Sequence, residues 1–185
     1  ADRLMKWQWP DGGWNCDKRP EAHHSSFMET AIPMRALALY ARLSGSPQAK
    51  SAAARAAEIF LKRHFFIGMR SGQPIDPHFT TLHYPIYWHY DILWGLKLMA
   101  ELDLIADERC QQALSLLESY RLPDGGFPAH SKLYKPANLK AVLPIDQRTS
   151  GYSLVKWGST GKTSMNEFIT VDALYVLKLT NRWQP

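Results

Sequence analysis

The chain has 185 residues, 45% apolar and 12% aromatic, enough for one domain with a sizeable core. No apolar run approaches the roughly 18 residues that would read as a membrane-spanning helix, and the start lacks a signal-peptide pattern, so no transmembrane segment and a cytoplasmic location are expected. The +5 net charge sits in one stretch, residues 128–163, where Lys132, Lys135, Lys140, Arg148, Lys156 and Lys162 face only Asp146. A general nucleic-acid-binding face is therefore not expected, and the stretch suits a local anionic ligand or a solvated loop. Cys16 and Cys110 show no zinc or redox spacing and indicate no disulfide scaffold.

Residues 1–7 align with 114–120 at an offset of 113 and read as the end of a helix. The chain is therefore expected to begin inside a unit, as a fragment of a longer polypeptide that forms one domain over 1–185. Gln8-Trp9-Pro10-Asp11-Gly12-Gly13-Trp14 follows as a turn. It recurs as Leu122-Pro123-Asp124-Gly125-Gly126-Phe127, with a weaker middle copy at 69–74. Ser26-Phe27-Met28-Glu29 is a capping box, and a helix apolar almost all round is expected from Phe27 to Leu43. Pro47 opens an amphipathic helix of about 47–65. A second all-round apolar helix is expected over about 86–102, with Pro85 in the place of Ser26. Asp107 caps an amphipathic helix through Tyr120. The third unit is interrupted by about 25 inserted residues, and Ser164-Met165-Asn166-Glu167 forms a second capping box before a helix to Leu179. Within the insertion, 152–157 alternates enough for a short strand, a possible hairpin arm. Buried and solvent-facing helices thus alternate with a period near 55–60, as a two-layer ring or solenoid requires.

Gln8-x-x-x-Gly12-x-Trp14 resembles the QW motif of squalene and terpene cyclases. Gly12-Gly13-Trp14 and Gly125-Gly126-Phe127 resemble the glycine turns of protein prenyltransferase β subunits. The resemblance covers all three units. It implies an all-α fold of helical-hairpin repeats forming part of an α/α toroid, with an inner ring, an outer ring, a central apolar cavity and one irregular insertion at about 128–163. The rest of a longer chain, or another subunit, would complete the ring. An isoprenoid-like or other apolar small molecule is the implied ligand. The chain has no Asp-x-Asp-Asp motif, and the prenyltransferase zinc set has no counterpart, since Cys16-Asp17 is in the wrong order and place. No reaction and no cofactor follow.

Parallel inner helices would bring their N-terminal ends to one mouth, where most of the histidines fall. The candidate catalytic residues there are His24, Glu29, His83, Asp91 and Asp172; the candidate ligand-binding residues are Tyr84, Tyr87, Trp88, Asn166 and Glu167. Asp91 and Asp172 carry charge inside largely apolar helices, which is costly unless each pairs with a base or faces a wet cavity; a buried carboxylate with a raised pKa could act as a general acid. Glu29 and Glu167 are also explained by helix capping, and His24 by a polar loop. The aromatic run 83–94 suits carbocation stabilisation or inner-ring packing. His, carboxylate and thiolate donors would suit zinc, but their spacing matches no closed zinc motif, so no metal is assigned. Gly158–Thr163 is not a P-loop, because Lys156 stands where a glycine is needed. Two other classes stay open: a non-catalytic helical-repeat binding module, and a toroidal glycan-active enzyme using paired carboxylates.

Overall fold

The computed structural model describes residues 1–136, 152–153 and 155–183. Six helices carry the fold: α1 Asp2–Lys6, α2 Phe27–Ser44, α3 Pro47–Leu61, α4 Ile92–Glu101, α5 Gln111–Glu118 and α6 Glu167–Leu179. The described strands, β1 Lys135–Pro136 and β2 Tyr152–Ser153, have two residues each and pair in parallel. Among the described residues, the 152–157 segment expected as a hairpin arm contributes only Tyr152–Ser153, paired in parallel and not as a hairpin with β1. Lys140, Asp146 and Arg148 of the basic insertion lie outside the described residues.

Local chemistry sets the helix limits. Ser26 accepts the Glu29 amide to start α2, and Gly45 ends it at φ 71°. Ser46 caps α3, and Pro47 follows at its first position. Two expected starts move. The fourth helix begins at Ile92, not near Ile86, because Asp91 is its N-cap. The last begins at Glu167, because Asn166 and not Ser164 accepts the first amides.

Packing gives the helices an order. Helix α2 lies against α3 and α4, and α4 lies against α5 and α6. Phe27 of α2, Phe60 of α3, Phe79 and Tyr90 form an aromatic cluster, with ring centroids 4.8–5.7 Å apart. This core uses Tyr90 as a buried wedge whose hydroxyl donates to the Phe65 carbonyl at 3.0 Å.

The first and third glycine turns make matching hydrogen bonds. Trp9 N–H reaches Gly13 O at 2.8 Å and Gly12 N–H reaches Trp9 O at 2.9 Å; Leu122 to Gly126 and Gly125 to Leu122 repeat this at 2.9 and 2.9 Å. Each turn then docks on its own helix in the same way. Trp14 N–H donates to Thr30 Oγ1 at 3.1 Å, and Phe127 N–H to Thr170 Oγ1 at 2.9 Å. Gln8 is a structural residue, donating from Nε2 to the Gly12 and Ala52 carbonyls at 2.6 and 2.7 Å.

Candidate functional site

Asp91 and His83 form a buried pair at the start of α4, 1% and 2% exposed. Asp91 Oδ1 accepts the Trp94 amide at 2.9 Å, and Oδ2 accepts the His83 amide at 3.1 Å. Asp91 is therefore not a charge inside an apolar helix. It caps the helix, and its carboxylate meets amides and the positive end of the helix dipole. Burial raises its pKa, opposed by His83 and by the Trp94, His83 and Leu93 amides. His83 Nδ1 lies 2.9 Å from the Thr81 carbonyl and 3.3 Å from Asp91 Oδ2. A carbonyl only accepts, so Nδ1 carries a proton, and in the neutral ring Nε2 keeps a lone pair. Nε2 is buried and has no hydrogen-bond partner among the described residues.

Beside this pair the chain leaves large aromatic side chains in solvent. Tyr87 is 48% exposed and Trp88 is 70% exposed. Trp88 stacks on His89 at 3.8 Å, and the His89 ring meets His83 edge-on at 6.0 Å. Tyr87 holds φ at 46°, in the left-handed region that a bulky side chain rarely occupies. Burial lowers the His89 pKa, with nearby His83 and His78 acting in the same direction. Tyr84 turns the other way. It stacks on Phe168 of α6 at 4.7 Å and meets Trp157 edge-on at 5.6 Å.

The other candidates have local employment. Glu29 completes its capping box with Ser26 and accepts the Cys16 thiol at 2.7 Å, a bond that raises the thiol pKa. His24 is exposed, with its ring 4.1 Å from that of His23. No hydrogen bond, ion pair or ring contact among the described residues joins His24 or Glu29 to His83 or Asp91. Asn166 accepts the Phe168 and Ile169 amides and donates to the Trp157 and Ser159 carbonyls, so its polar atoms are engaged in structure. Glu167 is exposed on the first turn of α6.

Asp172 pairs with Lys97 of α4 at 2.6 Å, with both side chains about one quarter exposed. A pair so placed contributes little. Asp172→Asn is expected to cost under about 1 kcal/mol in urea denaturation; a loss of several kcal/mol would show a role beyond this pair. On the same side, Arg35 of α2 pairs with Glu101 at 2.5 Å and lies over the Trp94 ring. The ion pairs thus run across α2, α4 and α6. Ile32, Leu39 and Leu43 of α2, and Val171 and Tyr175 of α6, are exposed apolar residues. Their positions on the helical wheel lie opposite each helix's buried residues.

Two participants were not legible in the sequence. Trp157 lies in the insertion, and nothing in its neighbourhood signals that it packs on Tyr84. His130 Nδ1 accepts the Leu82 amide at 3.1 Å, clipping the insertion to the loop before His83. Burial lowers the His130 pKa, helped by Lys162. A depressed folded pKa means that the unfolded chain binds the proton more readily. This stabilisation is therefore complete above pH ~6.5, the ordinary histidine value, and is lost as pH falls through the folded pKa. His89 acts with the same sign and Asp91 with the opposite one. The His130 part is the difference between wild type and His130→Phe: wild type is expected to lose more stability on acidification from pH 7.5, read by urea denaturation. Equal slopes would remove His130 as the cause.

Among the described residues, no group of three or more His, Cys, Asp or Glu is placed to hold a metal. An open depression of about 440 Å³ lies elsewhere, between Met5 and the Pro47–Arg55 part of α3. No helix among the described residues is long and apolar enough to cross a membrane. Protein-family models, curated proteins and solved structures give no match to the chain.

Proposed function

We propose that the chain is a segment of an α/α ring of helical hairpins, similar to those of terpene cyclases and protein prenyltransferase β subunits, and that it holds an apolar, isoprenoid-like ligand at the N-terminal mouth of α4. The Tyr87–Trp88 ridge beside the buried His83–Asp91 pair carries this reading. Exposed aromatic surface next to a fixed polar acceptor is the composition of a small-molecule site. Tyr84 shapes the neighbouring wall with Trp157 and Phe168.

The matching bonds of the two glycine turns support a repeat, and the order α2, α4, α6 supports an inner row. The exposed apolar stripes on α2 and α6 leave room for further helices, from the same polypeptide or another subunit, to complete a ring. No reaction is assigned. Asp91 has its pKa raised in the direction that a general acid needs, yet both its oxygens accept amides.

Native mass spectrometry of the purified protein tests the reading. A co-purifying lipid-like mass, reduced in Trp88→Ala, is expected; an equal mass in both proteins, or none in either, would overturn it. A second reading, a non-catalytic module that binds a partner through the open helix face, is favoured by the self-paired Arg35–Glu101 and Lys97–Asp172 groups. A glycan-active site would need two free, facing carboxylates, and Asp91 and Asp172 are both engaged.

A further inference from the structure

We infer that His83 Nε2 is the docking point for a hydrogen-bond-donating head group, so that the ligand held at the mouth of α4 is an apolar alcohol and not an apolar acid. This inference rests on the ligand-binding reading above and narrows its chemistry.

In the neutral ring, with the Nδ1 proton held by the Thr81 carbonyl and Asp91 alongside, Nε2 carries the lone pair. A buried acceptor without a donor is uncommon in folded proteins, because removing it from water without a replacement bond costs about 1–3 kcal/mol. The group that satisfies it must bring an O–H or N–H. A carboxylate or ionised phosphate head brings only lone pairs, and it would approach the carboxylate of Asp91. His89 and Trp88 pack outward from His83 as a stacked pair, with Trp88 mostly in solvent. A head group reaching Nε2 from this side would have these rings as the aromatic surface for its alkyl part. Tyr87, next to Trp88 in the chain, holds a strained φ of 46°.

The test compares 1-decanol with decanoate at pH 7.5, by titration followed through tryptophan fluorescence. The two probes share an alkyl chain length and differ in the head group. Decanol is expected to bind at least about tenfold more tightly than decanoate, a preference of about 1.4 kcal/mol. His83→Phe, which removes Nε2 and keeps a flat ring, is expected to weaken decanol binding and so shrink the preference, while decanoate binding changes little. If that variant does not fold, the Nε2 resonance of the wild-type protein decides, because an apolar site alone also prefers a neutral alcohol to an ionised acid. In ¹⁵N spectra of the wild-type protein, the Nε2 resonance is expected to move on adding decanol and to stay in place with decanoate. Equal affinities, or an unchanged preference in a folded His83→Phe protein, would overturn the head-group inference and leave the mouth as an apolar site. Binding of neither compound would overturn the ligand-binding reading and this inference with it.

Discussion

Replacing Asp91 with alanine is expected to destabilise the protein by about 3 kcal/mol, lowering the melting temperature by roughly 6–12 °C for a chain of this size. Two buried amides, those of Trp94 and His83, lose their acceptor, and each unpaired group costs about 1–3 kcal/mol. The α4 cap is also lost, worth about 1 kcal/mol. Part of this is offset, because burying the carboxylate is itself unfavourable and raises its pKa. Asp91→Asn keeps one oxygen acceptor and the shape of the cap, so a loss near 1 kcal/mol is expected for it. Urea denaturation of the three proteins gives the comparison. A loss below 1 kcal/mol for the alanine variant would mean that Asp91 does not hold the His83 loop, and the buried pair would lose its basis as a designed feature.

Gly95→Ala is expected to destabilise by about 2 kcal/mol, opposite in sign to the usual gain. In an exposed helix interior, alanine is favoured over glycine by about 1 kcal/mol. Gly95 is buried in α4, and an added Cβ would stand 2.8 Å from Phe65 Cδ1 and closer still to the Tyr90 hydroxyl. That hydroxyl is held by the Phe65 carbonyl, and Tyr90 is wedged among Phe27, Phe60 and Phe79, so the clash has no soft outlet. Overpacking of this kind typically costs 1–3 kcal/mol. Gly95 stands four residues after its cap, where Thr30 and Thr170 stand after theirs. The middle unit thus gives up the threonine clamp of the other two and takes a tyrosine wedge instead. A stabilised Gly95→Ala protein would show that Tyr90 and Phe65 can move apart.

Local chemistry was legible from the residues. Ser26 and Glu29 were readable as a capping box because both partners lie within one turn. The glycine turns were readable because Pro, Asp and Gly have few other uses in that order. The same reasoning misplaced the last helix start. Ser164 and Glu167 have the letters of a capping box, but Asn166 is tied by Trp157 and Ser159 and takes the amides first. It also placed the fourth helix six residues early. The run 86–90 is apolar enough for a helix, yet Tyr90 is spent on the aromatic core and Tyr87 adopts a left-handed backbone. The sequence posed two choices for Asp172, a basic partner or a wet cavity. The partner, Lys97, lies 75 residues earlier, beyond any local pattern. Likewise, the sequence puts His83 and Asp91 near one helix start, but their contact depends on a loop path that no periodicity encodes.

Hydrogen–deuterium exchange with and without saturating 1-decanol tests the central claim, that an apolar ligand sits at the mouth of α4. Slowed exchange confined to residues 81–91 and 157–168, with α3 unchanged, is the predicted result. Protection absent from these segments, or concentrated instead along the exposed faces of α2 and α6, would contradict it and favour partner binding through the open helix face.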